Sequence, residues 1–287
     1  MKILIIGDSY VHNYVPVNVL AERILSKKPT LQFHEDHPYF SWHTQLSQIN
    51  PSWEITANGE GGCDNWWIYS NFLENYKNYD KVIITWTAES RYSWKTEDGV
   101  WFHTSNIASA KNKYDSNWRG KDIYKLMMDF LPQVHYEDYK RYKTFNNLMR
   151  DNIKLLRPDT MFINCFNPND THLQEDPRGE RHFDSLFALT RYENNQLGIT
   201  GPAYWKTPEL DQVIDCRCSH LTKASHIILA EQIVNAIELG ATEFKIDIAS
   251  FERDMTTEYH KEFWTKRDVM KYADKYYNAG MLTKKFG

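Results

Sequence analysis

The sequence predicts an α/β protein built on a mainly parallel sheet, and three observations carry that prediction. Apolar runs of strand length recur along the chain, segments of helical period separate them, and the runs close on glycine or polar turns. Strands that alternate with helices pair in parallel through right-handed crossovers.

The elements follow in order. Lys2 to Ile6 (KILII), closed by Gly7, reads as a buried first strand. Trp53 to Ala57 is the second, running into the cluster Gly59, Gly61 and Gly62. Lys81 to Trp86 (KVIITW) is the third, and Met161 to Phe166 (MFINCF), after Arg157-Pro158-Asp159, the fourth. Between them, Asn65 to Tyr76 and Tyr136 to Leu156 have helical period. A last helix is expected from about Lys223 to Leu239, with Thr222 as N-cap and Gly240 as its stop.

Two stretches stand outside this repeat. About Lys95 to Val134 is an insertion rich in Trp, Tyr, Lys and Asn. The tail after about Ala249 is an extension whose amphipathic helix, His260 to Tyr277, packs outside or serves self-association into a homo-oligomer. No repeat, low-complexity tract or Pro/Gly linker divides the chain, so residues 1–287 are expected to form one domain.

Composition narrows the function. With 41% hydrophobic and 25% charged residues, the chain has the makings of an ordinary core and is not a disordered protein. The net charge of -4 comes from 34 basic and 38 acidic residues mixed along the chain, which gives no basic stripe for nucleic acid. Mean hydropathy is -0.65, and no apolar run approaches the roughly 20 residues that span a bilayer. The opening MKILIIGDSYVHN has too short an apolar stretch for a signal peptide, and Asp8 stands where a small-residue cleavage site belongs. A cytoplasmic protein without membrane partners is the expectation.

Cofactor and metal signals are weak. Cys63, Cys165, Cys216 and Cys218 are too irregular for a disulfide framework or a zinc site and read as reduced packing residues. His34-Glu35-Asp36-His37, with His43 nearby, has ligand types without helical ligand spacing and reads as a solvated stretch. The Gly59 cluster lacks dinucleotide-loop spacing, so no cofactor is expected.

In an open parallel sheet, ligands bind beyond the carboxyl ends of the strands. The first strand delivers Gly7-Asp8-Ser9 there, the second Asn58-Gly59-Glu60-Gly61-Gly62, and the third Thr85-Trp86-Thr87-Ala88-Glu89. Asn167 and Asp170-Thr171-His172 follow the fourth, and Asp215-Cys216-Arg217-Cys218-Ser219-His220 precedes the last helix. Asp8, Trp86, Glu89, Asn167 and His172 are read as substrate contacts, and Glu175 to Gly179 as a mobile loop over them. Ser9 and His220 also have simpler readings as helix caps. Trp66, Trp67, Trp86 and Trp94, near the second and third strand ends, divide between core and a platform for sugar rings.

This order of blocks resembles the SGNH (GDSL-type) hydrolases, flavodoxin-like esterases, lipases and carbohydrate deacetylases. The resemblance runs from Met1 to about Gly240. Gly7-Asp8-Ser9 is similar to the family's nucleophile block, and His220-Leu221-Thr222, followed by His226-Ile227-Ile228-Leu229, to its closing histidine block. Gly62 stands where the family has its oxyanion glycine. GGCDN and WTAESR are similar to divergent members from tailed-phage genomes.

The resemblance implies a three-layer fold and acyl transfer to Ser9, with His220 as base and Ser9, Gly62 and Thr87 as oxyanion donors. There are two departures. Thr87 replaces the family's Asn, and Arg217 occupies the usual acidic position, leaving Asp215, five before the histidine, as the acid. No G-x-S-x-G elbow is present. A short acyl ester, carried by a carbohydrate or another small molecule, is the expected substrate. An acyltransferase on the same site, or a non-catalytic carbohydrate-binding or virion-associated structural protein, are the other readings.

Overall fold

In the computed structural model of the chain, the described residues are 1–11, 41–88, 91, 93–95, 101–103, 139–166, 174–175, 181–183, 185–196, 213–215, 221, 223–254 and 263–265. Strand β1 is Lys2–Gly7, helix α1 Trp42–Ile49, strand β2 Glu54–Gly59 and helix α2 Asn65–Asn75. Strand β3 is Lys81–Trp86, followed by the short hairpin of β4, Ser93–Lys95, and β5, Trp101–His103. Helix α3, Tyr139–Leu156, leads to β6, Met161–Asn164. Strands β7, Gln174–Glu175, and β8, Arg181–Phe183, precede helix α4, Leu186–Gln196. Strand β9, Val213–Asp215, helix α5, Lys223–Glu238, strand β10, Ile246–Asp247, helix α6, Ile248–Asp254, and strand β11, Phe263–Thr265, complete the set.

The central sheet has the order β2-β1-β3-β6 and is parallel throughout. Its faces follow from the two-residue period of a strand. Ile3 and Ile5 point into a cluster with Trp42 and Leu46 of α1 and Leu229 and Ile233 of α5. Leu4 and Ile6 point the other way, among Ile68 and Phe72 of α2 and Ile153 of α3. All four β1 side chains are fully buried, each contributing on the order of 1.5–3 kcal/mol relative to exposure. A strand covered on both faces needs a continuous apolar run, which KILII supplies. Strand β2 is at the sheet edge, and its Glu54 is exposed. Beyond β6 the chain after α5 adds a single parallel bridge, Phe162 to Glu243.

The four expected strands of the sheet are present, with the second displaced toward the glycine cluster, at Glu54–Gly59 rather than Trp53 to Ala57. The last helix stops as expected: Gly240 takes φ 71, the left-handed conformation that glycine adopts without strain. Thr222 lies outside the described residues, as do residues 176–180 of the expected mobile loop and most of the insertion.

Two expectations are corrected. His43 is in a helix rather than a solvated stretch, 2% exposed and hydrogen-bonded through Nε2 to Ser41 Oγ at 2.9 Å. The eight residues of α1 do space Trp42, Leu46 and Ile49 as a helix would, but a segment this short is marginal by itself, and packing on α5 holds it, with the Trp42 amide donating to His226 Nδ1 at 3.1 Å. In the tail, Phe263–Thr265 is a strand paired antiparallel with β9, where a helix from His260 to Tyr277 was expected. Aromatic and β-branched side chains fit a paired strand, and partner packing overrides local periodicity. His34 to His37 lie outside the described residues.

Gly7 sets the closest approach of β1 to β3. A Cβ there would overlap Thr85 Oγ1 and come within 2.7 Å of Val11 Cγ2. Gly7→Ala is therefore expected to lower stability by about 1–3 kcal/mol in denaturant melts, and Thr85→Ala, which removes the nearest clashing atom, to recover part of it. Equal stability of Gly7→Ala and the parent would overturn this account.

Candidate functional site

The carboxyl ends of β1, β2, β3 and β6 converge on Asp8. The residue follows the last β1 position in a turn closed by the Val11 amide donating to the Asp8 carbonyl at 2.9 Å. Its side chain is fully buried. A carboxylate removed from water needs hydrogen-bond donors and a cation to remain charged. The Tyr10 amide donates to Oδ1 at 3.1 Å, and the Thr87 hydroxyl donates to Oδ2 at 2.8 Å. Arg91 Nη1 completes the shell on Oδ2 at 2.9 Å.

Ser9, next in the chain, is partly exposed. Beside it runs the loop that leaves β2. The Glu60 amide donates to the Gly7 carbonyl at 3.0 Å, and Cys63 Sγ reaches the same oxygen at 3.6 Å. Gly62 takes φ 84, where a side chain is strained. An added Cβ at Gly61 would meet nothing within 4 Å, so the loop has open space on that side. The loop then enters α2 through Asp64, which caps the helix by accepting from the Trp67 amide at 2.9 Å. Asp64 also accepts from the Ser93 amide at 2.6 Å, tying β4 to the same corner. Burial pushes the Asp64 carboxyl up from its ordinary value, against the lowering effect of these hydrogen bonds.

At the end of β3, Thr87 is held at three points. Its amide donates to Asn65 Oδ1 at 2.9 Å, and its carbonyl accepts from Asn65 Nδ2 at 3.0 Å. Its hydroxyl proton is directed at Asp8. Asn65 Nδ2 also reaches Asn146 Oδ1 of α3 at 2.8 Å, so this buried amide joins two helices to the strand end.

The end of β6 adds aromatic mass. The Arg91 guanidinium lies 4.5 Å from the Phe166 ring centroid, and Phe166 meets Tyr10 edge-on at 6.0 Å. The Tyr10 hydroxyl pairs with Thr190 Oγ1 of α4 at 3.0 Å, and burial raises the phenol well above its usual range.

Asp8, Ser9, Gly62 and Thr87 thus share one edge of the sheet. Asp8 and Trp86 were expected to touch substrate. Asp8 has no exposure and is hydrogen-bonded within the protein, while Trp86 is 5% exposed and packs on Phe162 at 6.0 Å. What both touch is the protein. Asp215 ends β9, whose partner is β11 rather than the central sheet. His220, Glu89, Asn167 and His172 lie outside the described residues. Among the described residues, no group of three or more His, Cys, Asp or Glu could hold a metal ion, and no helix is long and apolar enough to cross a membrane.

Sequence reasoning missed Arg91, Asn65 and Phe166. A signal for Arg91 existed: an aspartate closing a doubly buried strand requires a cation, and Arg91 is the only one between Lys81 and Lys95.

No protein-family model matches the chain, and no curated protein matches it. Among solved structures, a member of the lipolytic protein G-D-S-L family from Veillonella parvula DSM 2008 aligns with 83% of this chain and 97% of its own, at 15% identity and a TM-score of 0.29. The class established by the chain's own geometry is an α/β protein with a parallel four-stranded sheet.

Two thiols flank the buried carboxylate. Burial, reinforced by the Asp8 charge, pushes Cys63 and Cys165 well above the ordinary thiol range. Both are expected to resist iodoacetamide in the native protein at mildly alkaline pH and to react once denatured, as read by peptide mass spectrometry. Native labelling of Cys63 at the rate of a free thiol would contradict this.

Proposed function

We propose that the chain is a serine esterase of the SGNH type that removes a short acyl group, most simply acetyl, from a carbohydrate or similar polar ester. The observation that carries the reading is a partly exposed serine at the carboxyl end of β1, beside a glycine loop and directly after a buried, fully compensated aspartate. The strand order β2-β1-β3-β6 agrees with it, because flavodoxin-like sheets place their ligand crevice at such a switch point. A second support comes from Leu221. It is 3% exposed and belongs to the same core cluster as Tyr10 and Val11, which follow Ser9. Its neighbour in sequence, His220, is taken to serve that same part of the fold.

In this reading Ser9 Oγ attacks the acyl carbonyl and its proton passes to His220. The backbone N–H groups of Ser9 and Gly62 donate to the oxyanion. His220 gives that proton to the departing alcohol as its C–O bond breaks, then takes a proton from the water that attacks the acyl-enzyme and returns it to Oγ as the free acid leaves. Asp215 orients the imidazole, and Glu89, Asn167 and His172 contact the substrate. One observation favours the rival reading of a non-catalytic protein on the same fold. The Thr87 hydroxyl already donates to Asp8, and a missing oxyanion donor typically costs about 10²–10³ in rate.

Turnover of p-nitrophenyl acetate decides between them. The parent chain is expected to hydrolyse it and to be labelled at Ser9 by a fluorophosphonate, and Ser9→Ala to lose on the order of 10⁶-fold in kcat. An inert parent that takes no label removes the esterase reading.

The pH profile is a separate check. His220 accepts a proton only when neutral, so activity should be present above its pKa and fall as pH drops through it. An unperturbed imidazole titrates near about 6.5. A flat profile between about pH 5 and 8 would exclude His220 as base.

A further inference from the structure

Arg91 touches three separate parts of the site. Its Nη1 donates to Asp8 Oδ2 at 2.9 Å and to the Cys63 carbonyl at 3.3 Å, while its guanidinium lies over Phe166. Those partners come from the end of β1, the loop after β2 and the segment after β6, and Arg91 itself follows β3. Asp8 precedes Ser9, and Cys63 follows Gly62. A single group is therefore bonded to the immediate neighbours of both backbone donors assigned to the oxyanion.

We infer that Arg91 is the positioning residue of this site, a clamp that fixes the spacing between the Ser9 turn and the Gly62 loop. The inference rests on Ser9 being the nucleophile. Oxyanion stabilisation depends on donors held within about 0.5 Å of the productive position. The two donors lie on separate loops, and β1–β2 pairing ends at Gly7 and Gly59. Beyond that pair, the Glu60 amide and the Arg91 bridge tie the loop to β1. A planar guanidinium suits the task, because one of its nitrogens, Nη1, donates to both oxygens while its face stays on an aromatic ring. An ammonium on a flexible stem has no such plane. The side chain is 16% exposed, so the clamp sits largely below the surface where substrate would enter.

The test uses the full chain and four variants: Arg91→Lys, Arg91→Met, Asp8→Asn and the double variant Asp8→Asn/Arg91→Met. Melting temperature, kcat and KM for p-nitrophenyl acetate, fluorophosphonate labelling, and hydrogen exchange of the 60–63 amides are read on each. Arg91→Met is expected to lower kcat by about 10²–10³ with KM little changed, and to speed exchange in the loop. Arg91→Lys should fold with near-parental melting yet recover only part of kcat, and it carries the test if Arg91→Met does not fold. The double variant should regain melting temperature, since no uncompensated carboxylate remains, while kcat and loop exchange stay impaired. Recovery of kcat in the double variant would overturn the clamp, leaving Arg91 as a counter-ion only. A raised KM at unchanged kcat would overturn it in favour of a substrate anchor. If the parent neither turns over nor labels at Ser9, the esterase reading fails separately. The clamp is then judged by exchange alone, and unchanged 60–63 amides in Arg91→Met would end it.

Discussion

A carboxylate with no access to water sits where β1 ends, and its compensation organises everything around it. Leaving such a group without its cation costs about 3–5 kcal/mol when the pair is buried, a large share of the stability of a typical domain. Asp8 draws on a hydroxyl after β3, an amide of its own turn and a guanidinium further along. Each donor anchors another part of the edge. Thr87 is fixed by Asn65 at the start of α2, Tyr10 reaches α4, and Arg91 reaches the loop after β2. Ser9 therefore stands on a turn whose neighbour is held from several directions.

That rigidity needs the strands close together, which is where glycine matters. Gly7 lets β1 pass Thr85 without a clash, and Gly62 takes a left-handed conformation that brings the loop back along β1. The two faces of the sheet are covered by different helices, so the edge inherits its position from both layers. Buried apolar area supplies the stability, while polar groups at the strand ends decide the geometry, since each must find a partner or destabilise the fold.

Three of the four strands were legible because a doubly covered strand needs a continuous apolar run, and KILII, KVIITW and MFINCF have one. The Gly240 stop was legible because a left-handed helix end favours glycine. Helix α1 was not: Trp42, Leu46 and Ile49 have helical spacing, but eight residues are too few to hold a helix without the packing that α5 supplies. The tail misled for a related reason. A helical period in sequence does not reveal that Phe263–Thr265 has β9 as a partner.

Within the site, Gly7-Asp8-Ser9 and Gly62 were visible as a pattern: turn chemistry after a buried strand is local, and local preferences are written in adjacent residues. From the chain alone came the parallel sheet and the serine that follows its first strand. Folding alone decided that Asp8 is sealed from water, that the Thr87 hydroxyl faces that carboxylate, and that Arg91, 83 residues away in sequence, neutralises it. The division has one physical cause. Apolar burial follows composition along a short window, whereas a hydrogen bond or ion pair depends on the distance and angle between two groups, which exist only after the chain has closed on itself.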